Sequence, residues 1–204
     1  LNLDIGETLT ECSVMMNAGS DTTAAALTGT IYLLYKHPKV LAKLREKLDN
    51  IIGDEDVPQY NAIANLPYLR ACMEDSLGCK PASTMGLPRV VPEGGRTIAG
   101  KFIKAGVRVS VPTHSILRNP EAFKQPETFN PDHGFPVTRR KRRKLICHSA
   151  LGPRACIGRN IAYFEQLALI ATRVHNCDFE LRTIERFNGN PDKLIVGYRK
   201  RVRM

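Results

Sequence analysis

Apolar residues are dense over residues 14–34, and no proline interrupts them. The first ~35 residues therefore read as one long helix. Gly19 and Ser20 fall inside it, a pair that often marks a kink. His37-Pro38 ends this helix and starts the next, because proline is favoured in a first helical turn. Val40, Leu41, Leu44, Leu48 and Ile51 then recur at helical spacing, and Gly53 supplies the stop. Lys39, Lys43, Glu46, Lys47 and Asn50 fill the opposite, solvated face. Pro67 opens a third helix with Leu69, Cys72, Met73 and Leu77 on one side. It breaks near Gly78 or at Lys80-Pro81.

The texture then changes. Residues 87–91, 97–99 and 101–103 are short and β-rich, and Val107, Val109 and Val111 alternate as in a half-buried strand. Gly94-Gly95, Gly100 and Gly106 supply turns. Residues 112–153 are mostly irregular, with Pro120, Pro126, Pro131 and Pro136. A loop region of that length is uncommon in a compact domain and is usually functional. A last helix spans about 160–174, with Ile161, Phe164, Ala168 and Ala171 inward, and two short strands close the chain. The fold class is mainly α with a small β-sheet (α+β). Without regular βαβ alternation there is no dinucleotide-binding sheet. The chain divides as one partial domain: 1–36, 38–80, 86–112, 113–150, 151–160 and 160–204.

Composition narrows the setting. The 204 residues are 43% hydrophobic and 25% charged, a globular balance. The formal net charge of +10 is local. Arg139, Arg140, Lys141, Arg142, Arg143 and Lys144 are consecutive, and Arg199, Lys200, Arg201 and Arg203 follow near the end. Away from these clusters the chain is near neutral, so a nucleic-acid-binding face across the whole fold is not expected. No apolar stretch reaches the ~18–20 residues of a membrane span. The start, Leu-Asn-Leu-Asp, has no basic leader and no Met, as expected of a fragment or a processed product. The six cysteines contain no C-x-x-C pair. That argues against a zinc site or a disulfide framework and for a reducing, intracellular setting.

The most specific segment is Leu151-Gly152-Pro153-Arg154-Ala155-Cys156-Ile157-Gly158-Arg159-Asn160. A cysteine stands between two glycines, directly before an amphipathic helix. Gly152 and Gly158 let the backbone turn tightly and aim N–H groups at the sulfur. A helix N-terminus and a guanidinium such as Arg154 both favour a thiolate. A lone cysteine is more often a small buried hydrophobe. The Gly-x-Arg-x-Cys-x-Gly spacing reverses those odds.

This loop resembles the haem-binding signature of the cytochrome P-450 superfamily, F-x-x-G-x-R-x-C-x-G. Ala18-Gly19-Ser20-Asp21-Thr22-Thr23 resembles the family's oxygen-activating motif on its long distal helix. Leu66-Pro67-Tyr68-Leu69 opens what resembles the K helix. Leu87-Pro88-Arg89-Val90-Val91-Pro92, with Gly100-Lys101-Phe102-Ile103 and Ala105-Gly106, resembles the sheet beneath it. Phe129-Asn130-Pro131 resembles the start of the meander. Several motifs in one order make chance agreement improbable. The resemblance covers nearly the whole chain. It corresponds to the C-terminal, lesser part of a full-length member of eukaryotic, fungal type.

The resemblance implies haem b, with Cys156 as the axial thiolate on the iron. Arg154 and Arg89 would pair with haem propionates. Gly19 would leave room for dioxygen, Thr22 would hydrogen-bond it and Asp21 would help relay protons. The implied activity is monooxygenation of a small apolar or aromatic organic substrate, with electrons from NADPH through a cytochrome reductase. The implied location is the cytosolic face of the endoplasmic reticulum membrane, held there through an N-terminal part of the family that this chain lacks.

The pattern also fails in places. The K helix should carry Glu-x-x-Arg; the aligned residues are Asp75-Ser76-Leu77-Gly78. The meander should add an Arg; the aligned residue is His133. An Asp75–His133 contact could substitute for part of that ion triad. Ser149 replaces the aromatic residue that begins the signature, and Leu117 replaces a His often found before Arg118. These departures support an alternative, a non-catalytic remnant or pseudoenzyme fragment that binds haem or a partner only. The basic run reads as a reductase- or membrane-docking patch, as a nuclear-localisation or nucleic-acid patch, or as a solvated loop. The last is favoured, since charge runs are usually solvated.

Overall fold

The computed structural model describes residues 3–123, 125–133, 154–181 and 196–201. Helix α1 (Ile5–Lys36) opens on a capping box: Asp4 accepts from the Glu7 N–H at 2.8 Å, and the Glu7 carboxylate accepts from the Asp4 N–H at 3.1 Å. It runs without a break through Gly19 and Ser20, where a kink was expected. The Ser20 hydroxyl instead donates back to the Met16 carbonyl at 2.8 Å, a bond made inside the helix.

Helix α2 (Pro38–Ile52) begins at Pro38 and ends at Gly53, whose φ of 62° and N–H bond to the Asp49 carbonyl make the stop. Its buried residues are Leu41, Leu44, Leu48 and Ile52; Ile51 turns outward. A one-turn helix, α3 (Tyr60–Ile63), lies in a stretch with no helical signal in the sequence. Helix α4 (Pro67–Cys79) buries Leu69, Cys72, Met73 and Leu77 as the spacing predicts, and it passes through Gly78 to end before Lys80.

The β region forms two separate antiparallel ribbons rather than one sheet. Strand β1 (Arg89–Val90) pairs with β4 (Arg108–Val109), and β2 (Arg96–Ile98) with β3 (Lys101–Ile103). The β2–β3 turn places Ala99 at φ 49° and Gly100 at φ 78°, the pair of positive angles that suits the strand twist. The alternating valines were expected to be half-buried, yet Val107 and Val111 are exposed.

Helix α5 (Thr113–Leu117) and a 3-10 turn (Pro131–His133) interrupt the loop region. Leu117, the residue in the place of the family's His, is buried. Helix α6 (Arg159–Asn176) buries Leu167, Ile170, Ala171 and Val174. Ile161 and Phe164, expected inward, are exposed. Nearer the start of α6, Phe164 lies beside the ring of Tyr60 of α3 at 4.6 Å, and Tyr163 rather than Ile161 packs against the core. Strands β5 (Cys177–Leu181) and β6 (Val196–Lys200) pair antiparallel, Cys177 opposite Lys200. One core joins the C-terminal half of α1 with α2, α4 and α6, through Leu33, Leu34, Leu44, Leu69, Met73 and Ile170. At 1.5 Å per residue α1 is ~48 Å long. Only its second half enters that core: residues 3–22 are all exposed, and Thr23 is the first buried one.

Candidate functional site

Cys156 stands three residues ahead of α6. Residues 157–158 turn, and Gly158 is the N-cap. The Cys156 carbonyl accepts the Arg159 N–H at 3.5 Å, and the Gly158 carbonyl accepts the Ala162 N–H at 2.9 Å. The cysteine is thus tied by its backbone to the first turn of a long helix, while its side chain stays exposed. Gly158 has ordinary φ and ψ of −80° and 2°, and a Cβ built on it would meet nothing within 4 Å. Neither backbone strain nor crowding by the described residues calls for glycine here. What glycine does leave is a bare backbone that a flat group can approach.

The other sequence-predicted residues lie on separate elements. Arg154 is exposed on the same loop; Arg89, exposed on β1, donates to the Pro88 carbonyl at 2.9 Å. Asp21 and Thr22 are on the exposed half of α1, and the Thr22 hydroxyl donates to the Ala18 carbonyl at 2.7 Å. A Cβ on Gly19 would again meet open space. Gly152, Ser149 and the basic run 139–144 lie outside the described residues. Among the described residues no hydrogen bond or ion pair joins any two of the predicted site residues. They are brought to one fold, not into mutual contact.

Their chemistry nevertheless fits haem. One exposed thiol is a soft donor for iron, and two exposed guanidiniums suit carboxylates. Leu87, Val90, Phe102 and Ile157 add exposed apolar surface on the same loops and ribbons, Ile157 at 94%. Among the described residues no cluster of three or more His, Cys, Asp or Glu could hold a metal by itself. Iron held inside a porphyrin needs only the thiolate from the chain.

Sequence reading missed the polar junctions. The Asp75 carboxylate accepts the backbone N–H of Asn130 at 2.7 Å. Lys43 pairs with Asp132, which also accepts from the Tyr68 hydroxyl at 3.4 Å, and the Lys43 ammonium sits 4.7 Å from the centre of the Tyr68 ring. Arg118 donates to Glu127, and at 3.0 Å to the Cys79 carbonyl at the end of α4. Burial, with the Asp75 and Asp132 charges nearby, pushes the Cys72 thiol up to about 12. The expected Asp75–His133 contact rests on a side chain outside the described set.

A second junction fastens the far end of α6. Arg201 donates to Asp49 at 2.8 and 3.1 Å, and the His175 Nδ1 lies 2.7 Å from the same carboxylate. Burial works to raise the Asp49 carboxyl. Hydrogen bonds from Arg201 and His175 outweigh it and hold the group below the ordinary carboxylate value. The His175 Nε2 is buried with no partner among the described residues. No local pattern marks these pairs, because each joins residues far apart in sequence.

The family model for Cytochrome P450 matches residues 1–200. The chain belongs to this family. A cytochrome P450 monooxygenase, tpeC, of Talaromyces stipitatus is 36% identical over 80% of this chain and 33% of its own length. The benzoate 4-monooxygenase bphA of Aspergillus niger is 35% identical over 96% of this chain and 40% of its own length. Cytochrome P450 4c3 of Drosophila melanogaster is 36% identical over 91% of this chain and 34% of its own length. The chain therefore spans about a third to two-fifths of these curated P450 relatives. Among the described residues, no helix is long and apolar enough to cross a membrane.

Proposed function

We propose that this chain is the haem-thiolate part of a P450 monooxygenase. The observation that carries the reading is Cys156: an exposed thiol held by its backbone to the start of α6, beside a glycine that nothing in the described protein requires. Cys156 would hold the iron, Arg154 and Arg89 would pair with the propionates, and Gly152 and Gly158 would complete the cofactor-binding set. When bound, haem supplies the oxygen chemistry, by which one atom of dioxygen enters an organic substrate and the other leaves as water.

The chain's own part in the second half of the site is proton handling. The Thr22 hydroxyl spends its proton on the Ala18 carbonyl, and its oxygen keeps acceptor capacity. Asp21 beside it is exposed and can take a proton from water and pass it on. Gly19 leaves the space above that turn open. Electrons come from NADPH through a reductase, at the cytosolic face of the endoplasmic reticulum, and the substrate is a small apolar or aromatic molecule. The chain alone turns over slowly, because Asp21, Thr22 and Cys156 all face solvent.

A second reading, a non-catalytic remnant that binds haem or a partner only, is favoured by Gly78, which replaces the guanidinium of the family's Glu-x-x-Arg. Anaerobic titration with haem, then reduction under carbon monoxide, tests the first. The expected result is a thiolate-type Soret band that Cys156→Ala abolishes. The same band in Cys156→Ala overturns the ligand assignment. Turnover of benzoate, the compound for which the Aspergillus niger relative is named, separates the two readings once reductase and NADPH are added. Substantial turnover by this chain sinks the remnant reading and the claim of slow turnover together.

A further inference from the structure

We infer that Gly86 is a positioning residue for Arg89: it lets two stretches of backbone run closer together than any side chain would allow, and so sets where Arg89 stands. The β1–β4 pairing is short, but its register extends beyond the strands. Val91 donates to the Val107 carbonyl at 2.9 Å, Arg89 stands opposite Val109, and His114 donates to the Thr84 carbonyl at 3.2 Å. Each step back along one stretch is matched by one step forward along the other. Residues 84–91 therefore run antiparallel to residues 107–114 in one register. Pro88 and Pro112 bring no N–H to the middle of this run, so they leave gaps in the ladder.

Gly86 falls in that middle part. Its φ is 70°, in the left-handed region. A Cβ built on it would overlap the Val111 carbonyl oxygen, and would lie 2.7 Å from the carbonyl carbon and 3.0 Å from the Ser110 Oγ. The Ser110 hydroxyl donates to the neighbouring Met85 carbonyl at 3.4 Å, which draws the same two stretches together. The blocking atoms of Val111 are backbone and cannot swing aside, so the stretches would have to part by roughly an ångström. Gly106, at the far end of the run, has φ 79° but a Cβ there would meet nothing within 4 Å. Both glycines need the left-handed angle; only Gly86 also needs the bare Cα.

A shift at Gly86 reaches Arg89 because the link between them is stiff. Leu87 precedes a proline, which confines its backbone to extended angles, and Pro88 has a fixed φ. Neither residue absorbs a displacement that enters at Gly86. The Arg89 guanidinium donates back to the Pro88 carbonyl at 2.9 Å, so its side chain is tied to the same link. The effect of Gly86 on the ladder stands on these contacts alone. Its effect on haem rests on the reading of Arg89 given above.

The test compares wild type with Gly86→Ala, Arg89→Met, the double variant and Gly106→Ala as control. Exchange of the His114 amide should rise about tenfold in Gly86→Ala and stay near wild type in Gly106→Ala, with Leu44 and Leu48 unchanged in both. Haem titration should show binding weakened about tenfold in Arg89→Met, the loss of one charge-assisted contact, and by a similar factor in Gly86→Ala. If Gly86 acts through Arg89, the double variant binds within about twofold of the weaker single one. The thiolate-type band keeps its position throughout, since Cys156 is untouched.

Unchanged His114 exchange in Gly86→Ala overturns the ladder role, and with it the inference. Faster exchange with wild-type haem affinity overturns the positioning role. Losses that multiply in the double variant overturn action through Arg89. A wild-type chain without the thiolate-type band overturns the haem reading, and His114 exchange alone then decides the ladder role. If Gly86→Ala does not fold, Ser110→Ala, which removes only the bond to the Met85 carbonyl, takes its place. A rise of about two- to threefold in His114 exchange with about twofold weaker haem binding then supports the inference, and no change in either counts against it.

Discussion

The two halves of α1 use one helical pattern in opposite ways. Its C-terminal half buries Ala26, Gly29, Thr30, Leu33 and Leu34 against α4 and α6, while residues 3–22 are exposed throughout. Leu9, Val14, Met15 and Met16 stand in solvent although they are as apolar as the buried set. Periodicity thus reports that a helix forms and says nothing about which part finds a partner. The predicted chemistry sorts with the exposed half: Gly19, Asp21 and Thr22 lie there, and Cys156, Arg154 and Arg89 are on exposed loops and ribbons. The core carries stability, and the exposed parts carry the groups proposed to meet haem.

The largest expected effect tests the core. Leu44→Ala removes a fully buried side chain and should cost about 2–5 kcal/mol in urea unfolding. Leu9→Ala, on the exposed half, should stay within about 0.5 kcal/mol. Equal losses would mean that the N-terminal half of α1 is packed, and the contrast would collapse.

A sharper version uses two threonines on the same helix. Thr22 and Thr30 both donate to the carbonyl four residues back, at 2.7 and 2.9 Å. Thr30 is buried and its oxygen also lies 2.9 Å from the Ser76 hydroxyl of α4. Thr30→Val should cost about 1–3 kcal/mol, because Ser76 would lose a buried partner. Thr22→Val should cost a few tenths at most, about the scale of an exposed surface change. Matching values in thermal melts would show that burial does not separate the halves.

The junction at Asp49 adds a pH dependence. Its folded pKa is depressed, so its contribution is present above the ordinary value of 3.8 and is lost as pH falls below that value. With the carboxylate one-third exposed, screening keeps the contribution to about 1 kcal/mol. Asp49→Asn should lose it already at neutral pH and flatten the stability profile below pH 4. An unchanged acid limb would rule this junction out as its source. The smallest effect is a gain. Gly19→Ala should stabilise α1 by about 0.5–1 kcal/mol, since a Cβ there meets nothing within 4 Å. A loss would reveal a contact on the bare half.

Three of the four long helices, α1, α2 and α4, were legible almost to the residue, because Pro38, Gly53 and Pro67 punctuate them and leucines repeat at helical spacing. Helix α6 was legible in extent but not in facing. Its Ile161 and Phe164 fit the stripe, yet at that level it is Tyr163 that packs against the core, and further along Leu167 and Val174 are the buried set. The β region was legible as strand and turn, but its division into separate ribbons was not, since pairing depends on residues distant in sequence.

The sequence by itself determined the extent of the long helices, the Cys156 motif and the family, because each is written in local spacing: apolar residues at helical intervals, helix-breaking residues and one short motif. Only the tertiary structure decided that α1 is half bare, that Asp75 docks the Asn130 backbone, that Arg118 reaches the Cys79 carbonyl and that Arg201 reaches Asp49. The physical reason is range. A helix is closed by bonds four residues apart, whereas these contacts close loops of dozens of residues and form only when packing has already brought their ends together.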